Sequence, residues 1–400
     1  MNENRNGQTE LELYIHIPFC VRKCGYCDFV SAPAGREVQQ AYMERLWEEI
    51  EESVNGETLV SSVFFGGGTP SLIEPLLIEE TLNRIRRRFF LSPDAEISME
   101  ANPGTLTKEA LQIYKRAGVN RLSIGLQSAH NKELSMLGRI HTWEEFKESF
   151  SLARRAGFEN LNVDLMAALP GQTVESFSES LRAVLALSPE HLSVYSLIIE
   201  EETPFYETYG KQAEARAEGR EDAAIRPLPS EEDERTMYRI TEELLGKAGY
   251  DHYEISNYSK PGYACRHNIG YWTGTPYLGF GISAASYIEE KRFHNTSDRE
   301  EYLSRPFSEI RSLEEKVTRP RAMEEFLFLG LRMMCGVSEQ RFLERFGITM
   351  EAVYGETLRT LSGEGLLEAY QKGTERFWRL TEHGIDVSNY VLAEFLLDEN

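Results

Sequence analysis

The chain is short of positive charge: 43 Lys and Arg stand against 65 Asp and Glu, a formal net charge of −22 over 400 residues. A coat for nucleic acid or an adhesive face for anionic lipid needs a basic surface, so this balance argues against both. Long apolar runs are missing as well. No stretch reaches the ~18 apolar residues of a membrane-spanning helix. The opening MNENRNGQTE is polar where a signal peptide would be apolar. These absences predict a cytoplasmic protein. Cysteine is scarce and odd in number, five in all, which does not suit a disulfide framework in a long chain. No internal repeat of about 20–50 residues is evident beyond an alternation of strand-like and helix-like runs.

Three of the five cysteines nevertheless stand together. Within Tyr14–Phe29, YIHIPFCVRKCGYCDF, Cys20, Cys24 and Cys27 are spaced C-x3-C-x2-C. Just before them Leu11, Leu13, Ile15 and Ile17 alternate with Glu12, Tyr14 and His16, the period of a strand, so the thiols fall on a loop leaving a strand end. Soft thiolates packed this densely suit an iron–sulfur cluster. Three ligands on a four-iron cluster leave one iron open to another molecule. Zinc would normally take four closed ligands, and the nearest extra candidate, His16, lies inside the strand. Arg22, Lys23 and Asp28 make the loop polar, against three inert core cysteines.

From residue 11 to about 198 strand-like runs alternate with amphipathic ones. The expected strands are Leu11–Ile17, Ser62–Phe65, Glu96–Ala101, Arg121–Gln127, Leu161–Ala167 and Leu192–Ile198. The expected helices are Ala41–Glu52, Ile73–Phe90, Lys108–Ala117, Trp143–Ala156 and Val174–Leu187, with Gly118 and Gly157 as terminators. The alternation predicts an α/β fold with a parallel sheet of six βα units, an incomplete barrel. In such sheets the working residues gather at the C-terminal strand ends. There lie the cysteines, Gly66-Gly67-Gly68-Thr69-Pro70, Glu100-Ala-Asn102-Pro103 and Gln127-Ser128, with Asp164 inside the fifth run. Side-chain-free backbone in the triple glycine lets a ligand approach closely. Glu100 and Asp164 taken singly read equally well as ordinary strand-end carboxylates.

Residues 206–232, charged and Ala-rich, read as a linker or surface excursion. Residues 233–315 extend the barrel with a helix (Glu232–Gly246), a strand (His252–Ser256) and a turn-rich stretch from Tyr258 to Trp272. That stretch places Cys265, His267, Tyr271 and Trp272 within eight residues, and Leu278–Gly281 reads as a further flexible turn. Residues alone leave two readings: a hydrogen-bonded histidine in an aromatic-anchored loop, or an axial haem ligand, His267 before Cys265, with Tyr271 or Trp272 beside the macrocycle. Residues 316–400 predict a C-terminal winged-helix-like domain: helices Ala322–Met334, Glu339–Phe346 and Met350–Leu361, then a hairpin of Leu366–Tyr370 and Phe377–Leu380. Over 341–400 six Lys and Arg face eleven Asp and Glu, a net of −5, which favours a protein-facing or lid-like module over a DNA reader.

Taken together, the C-x3-C-x2-C loop with Tyr26 before its last cysteine, GGGTP, E-x-N-P and SIGLQS resemble the radical S-adenosylmethionine superfamily. Within it the chain is similar to the oxygen-independent coproporphyrinogen III oxidase-like family from Tyr14 to the C-terminal helices. The resemblance implies an incomplete six-unit radical-S-adenosylmethionine barrel over 11–205. It implies a [4Fe–4S] cluster on Cys20, Cys24 and Cys27, whose open iron takes the amino and carboxylate groups of S-adenosyl-L-methionine. Tyr14, Tyr26, Gly67, Gly68, Thr69, Glu100, Gln127, Arg139 and Asp164 would line that site. The decarboxylating oxidases carry a further cysteine two places after the third and a long arm before the motif. Here Asp28-Phe29 follows Cys27 and 19 residues precede Cys20. Both departures point to the haem-chaperone branch, as does His267-Asn268-Ile-Gly-Tyr271-Trp272, the H-N-x-x-Y-W of that branch. The implied function is binding heme and handing it to a haem-accepting protein, respiratory or other, with no nucleic acid and no membrane span but with transient contact to membrane-associated haem proteins. The rivals are radical decarboxylation of coproporphyrinogen III and radical modification of another tetrapyrrole.

Overall fold

The computed structural model describes residues 10–53, 58–217, 228–312 and 315–397. Its frame is six parallel strands in chain order, β1 (Glu10–Ile17), β2 (Leu59–Gly67), β3 (Phe90–Ala101), β4 (Arg121–Gln127), β5 (Asn160–Ala167) and β6 (His191–Ser196). The helices between them are α1 (Arg36–Glu52), α2 (Pro75–Arg88), α3 (Lys108–Ala117), α4 (Asn131–Met136), α5 (Trp143–Arg155) and α6 (Val174–Leu185). The two-residue alternation of β1 explains the arrangement. Leu11, Leu13, Ile15 and Ile17 are buried in the core that these helices cover, whereas Glu12, Tyr14 and His16 point to the barrel interior. Polar side chains at the matching positions of the other strands (Ser62, Ser98, Ser123, Asn162, His191) are buried too, so the barrel is filled by hydrogen-bonding groups rather than by the branched apolar layers of a closed barrel.

Local signals set the helix ends. Thr107 caps α3 and Gly118 ends it in a left-handed conformation (φ 101°). Thr142 with Glu145 and Thr173 with Ser176 form capping boxes. The frame is extended on both sides, giving a twelve-stranded sheet. Beyond α7 (Pro204–Ala217) and α8 (Glu231–Lys247), β7 (Asp251–Glu254) and β8 (Asn257–Ser259) add antiparallel to β6. After α9 (Arg266–Thr273), β9 (Tyr277–Phe280) adds parallel to β1, followed by β10 (Ala285–Ile288), β11 (Lys291–His294) and β12 (Glu315–Lys316). Its outermost strands, β7 and β12, lie at opposite edges, so the barrel stays open.

Three sequence expectations are corrected. The stretch Tyr258–Trp272 is turn-rich only up to Cys265; Arg266–Thr273 is helical and ends at Gly274 in a left-handed conformation (φ 70°). Leu278–Gly281 is not a flexible turn but mostly β9, held by its register Tyr277 to Glu12 and Phe280 to Ile15. Both depend on partners distant in sequence, which local patterning does not report. The charged 206–232 segment opens as helix α7, whose Phe205 and Tyr209 pack with Leu137, Met166 and Leu169; residues 218–227 of that expectation lie outside the described residues.

The C-terminal part has its own core. Helices Arg319–Gly330, Glu339–Phe346 and Met350–Gly363 bring Phe326, Phe342, Phe346 and Tyr354 together in edge-on and tilted ring contacts. They pack with a sheet ordered Val337–Ser338, Glu375–Leu380, Leu367–Lys372. Among the described residues no helix is long and apolar enough to cross a membrane.

Candidate functional site

The cysteine loop leaves β1 at the C-terminal edge of the sheet and is fixed by its backbone. Cys20 N donates to Ala32 O (3.3 Å), Ala32 N to Pro18 O (3.0 Å), Gly25 N to Leu137 O (3.3 Å) and Phe205 N to Gly25 O (2.9 Å). All three thiols are free and half-exposed. Among the described residues no group of three or more His, Cys, Asp and Glu side chains is arranged to hold a metal ion. By residue type the donor set, three soft thiols on one loop, suits an iron–sulfur cluster with one open iron, although the thiols are not drawn together around one point. Burial is the main cause that pushes the Cys27 thiol up to about 11. The adjoining cleft is lined by Cys20, Cys24, Thr69, Asn102, Arg139 and His141, among others.

The triple glycine is shaped to meet this loop. Gly68 N donates to Ile17 O (2.8 Å) and Thr69 N to Phe19 O (2.7 Å), while the Thr69 hydroxyl reaches Cys20 Sγ (3.5 Å). A Cβ on Gly68 would stand 2.7 Å from Phe19 O, so only glycine allows so close an approach. Arg139 comes from the turn after α4. Its Nη2 donates to Asn102 Oδ1 and Gly125 O, both at 2.6 Å, and its Nη1 points to Cys24 Sγ (3.9 Å). The family-derived expectation for Arg139, off any strand end, therefore coincides with the loop that carries the thiols.

Deeper in the mouth, Glu100 accepts from Gly67 N (3.2 Å), and Asp164 accepts from Ser123 Oγ (3.1 Å) and Asn162 Nδ2 (2.7 Å). Gln127 sits at a bulge in β4 with positive φ (75°), which turns its side chain to accept from Tyr195 OH (3.1 Å). Tyr14 OH donates to His16 Nδ1 (3.1 Å), and His16 Nε2 donates to Val30 O (3.0 Å), tying the barrel floor of β1 to the cysteine loop. Tyr26 lies edge-on to Phe205. The structure thus brings Tyr14, Tyr26, Gly67, Gly68, Thr69, Glu100, Gln127, Arg139 and Asp164 to one mouth beside the cysteines. Asn102, named with the E-x-N-P strand end, and His16, weighed only as a zinc ligand, join them, as does Tyr195, which was not singled out. For His16 the usable signal was its position two residues after Tyr14, on the same face of the strand.

Burial first, then the charge of Asp164, pushes the Glu100 carboxyl up to about 8, against the Gly67 N–H that holds it down. Burial likewise raises Glu12 to about 9. A carboxyl raised on folding holds its proton more firmly in the folded than in the unfolded chain. Its stabilising contribution is therefore present below the ordinary value of 4.5 and is lost as pH climbs through the folded value. The melting temperature is expected to fall between about pH 4.5 and about pH 8, and Glu100→Gln to flatten that slope. Thermal scans across the range decide it, and an unchanged slope in the variant would refute the assignment.

The residues of the second stretch lie at the opposite end of the barrel. Helix α9 carries His267 inward, 1% exposed. Its Nδ1 meets Ser62 Oγ (2.8 Å) and its Nε2 meets Tyr271 OH (3.2 Å), so both ring nitrogens are engaged. The ring stacks on Phe64 (5.0 Å between centroids) and more loosely on Tyr14 (6.5 Å). Burial, then the charge of Arg121, holds the imidazole down to about 3, so it is neutral. Cys265 is buried with its thiol against Glu96 Oε1 (3.2 Å), and Trp272 lies under the Arg332 guanidinium (4.4 Å). Asn268 and Tyr271 are half-buried on the same helix.

A family model described as the radical SAM superfamily matches residues 14–184, and one described as the HemN C-terminal domain matches 317–387. Relatives named heme chaperone HemW are 36% identical in Lactococcus lactis (96% of this chain, 97% of the relative), 36% in Bacillus subtilis (96% and 98%) and 35% in Escherichia coli (97% and 98%). Among solved structures, coproporphyrinogen III oxidase HemN from Escherichia coli superposes with a TM-score of 0.79 over 97% of this chain and 90% of that one, at 23% identity, a likeness of fold.

Proposed function

The chain belongs to the heme chaperone HemW family within the radical SAM superfamily, and on that premise we propose that it binds haem and hands it intact to a haem-accepting protein, respiratory or other. The observation that carries the reading is the full-length similarity to these chaperones, joined in this chain to an HNIGYW helix docked in the barrel and to Phe29 in place of a fourth cysteine. Cys20, Cys24 and Cys27 would hold the [4Fe–4S] cluster, and Tyr14, Tyr26, Gly67, Gly68, Thr69, Glu100, Gln127, Arg139 and Asp164 would line the S-adenosylmethionine site. When bound, the cluster offers its open iron to the amino and carboxylate groups of that molecule. Tyr14 belongs to the mouth through His16 and to the floor through His267, so it gives the cofactor a physical route to the cargo end.

His267, Asn268, Tyr271 and Trp272 form the haem side of the reading. A neutral imidazole is the form that ligates iron. Because His267 is buried and its Nε2 is taken by Tyr271, haem reaches it only when α9 lifts from the barrel. The test is an anaerobic haem titration of cluster-reconstituted protein beside His267→Ala, with the recovered haem checked by mass. Saturable binding of unchanged haem, weakened about tenfold or more in the variant, is expected. Binding that is absent, or a chemically altered tetrapyrrole, would turn the reading toward porphyrinogen decarboxylation or another radical reaction.

A further inference from the structure

Arg121 opens β4, the first residue of an otherwise apolar-to-small run RLSIGLQ, and is 2% exposed. Its Nε–H is buried and meets no acceptor. The groups whose field it feels are Cys265 first, then Glu96, Tyr253 and Asp164, and its own charge reaches Glu100. All three carboxyls are already engaged, Glu100 by Gly67 N (3.2 Å). Glu96 accepts from Cys265 Sγ (3.2 Å), Ser98 Oγ (3.1 Å) and Arg266 N (3.1 Å), and Asp164 from Ser123 and Asn162. The two imidazoles nearby, His191 and His267, are held neutral by burial and by Arg121 itself. A guanidinium taken out of water without hydrogen-bonded compensation costs several kcal/mol, and a carboxylate set bidentately against its fork recovers much of that.

Position says which carboxylate. Six residues of strand, roughly 20 Å, separate Arg121 from Gln127 at the mouth. Arg121 pairs with Ser98, next to the Glu12–Ser62–Glu96 layer on which α9 rests. S-adenosylmethionine must place its own carboxylate on the cluster iron at the other end. Haem carries two propionates on one edge.

We propose that Arg121 is the anion-binding residue of the haem site, taking one propionate carboxylate of the tetrapyrrole that His267 ligates. The assignment rests on the haem-chaperone reading and adds to it a partner for the polar edge of the cargo. It makes the HNIGYW helix one wall of the site and the start of β4 the other.

The test compares haem with haem dimethyl ester, whose propionates are neutral, on the cluster-loaded full-length protein. The wild type is expected to bind the free acid at least about tenfold tighter. Arg121→Gln should bind acid and ester equally, at the ester's affinity. Arg121→Lys keeps a charge without the fork, should lose most of the preference, and serves if the glutamine variant does not fold. Equal affinity of the wild type for acid and ester overturns the proposal without any variant. A preference retained in Arg121→Gln, or in Arg121→Lys when only that variant folds, overturns it as well. Loss of S-adenosylmethionine binding in Arg121→Gln with haem selectivity intact would assign the carboxylate to that molecule instead and equally overturn it. A wild type that binds neither acid nor ester fails the chaperone reading itself, a distinguishable result.

Discussion

Replacing any one of Cys20, Cys24 and Cys27 by alanine is expected to strip the protein of cluster iron while leaving the barrel and its haem affinity in place. Two remaining thiolates do not hold a cluster that needs three protein ligands, so iron content and the visible absorption of the cluster should fall together to near background. The fold should tolerate the change. The loop is fixed by backbone bonds from Cys20 N, Ala32 N, Gly25 N and Phe205 N, and the thiols are only partly buried, so little packing is lost. Haem binding should also survive, because β1 separates the two ends: Glu12 touches α9 and Ile17 precedes the thiol loop, a distance of roughly 16 Å. Iron assay, circular dichroism and haem titration on one preparation check all three. Loss of haem affinity together with the iron would show that the two ends are obligatorily coupled and that the Tyr14 route governs binding itself.

The mouth was legible because strand periodicity and strand ends are local signals. Gly67, Gly68, Glu100 and Gln127 follow from where each apolar run stops and Asp164 lies within the fifth run, whereas Tyr14 as a site residue comes from the family resemblance; the structure gathers them at one edge. Lys108–Ala117, Arg121–Gln127 and Glu339–Phe346 even keep their bounds, since Thr107, Gly118 and Gly347 are capping signals. The floor was not legible. His267 reads as a turn residue because Gly270 and two aromatics interrupt any helical stripe, and what makes Arg266–Thr273 a helix is its seat on Glu12, Ser62 and Glu96. β9 pairs with β1 across more than 250 residues of chain, a partner that no window of sequence reports. Arg121 shows the same limit from the other side. A lone charge at the head of a strand looks like a surface terminus, and only its neighbours in the folded sheet make it a buried cation.

Gly270→Ala carries the other large expected effect. Gly270 is buried in α9 with no need for a left-handed backbone, so its smallness serves contact: a Cβ there would overlap both carboxylate oxygens of Glu12. Glu12 is itself buried, and its backbone is fixed on a strand paired on both sides. Either its carboxyl turns within a filled interior or the helix yields, which costs about 1–3 kcal/mol as overpacking does. Because lifting α9 is also what frees His267, the variant should melt lower yet take up haem faster in a stopped-flow mixing experiment. Trimming the other partner restores the fit: Glu12→Ala with Gly270→Ala should recover much of the lost stability, a coupling that a double-mutant cycle reads directly. Glu12→Gln alone should be nearly silent near pH 7, since burial keeps the Glu12 carboxyl protonated up to about 9 and the amide copies its shape. If Gly270→Ala lowers the melting point without speeding haem uptake, α9 is a structural floor, and haem reaches the barrel without passing it.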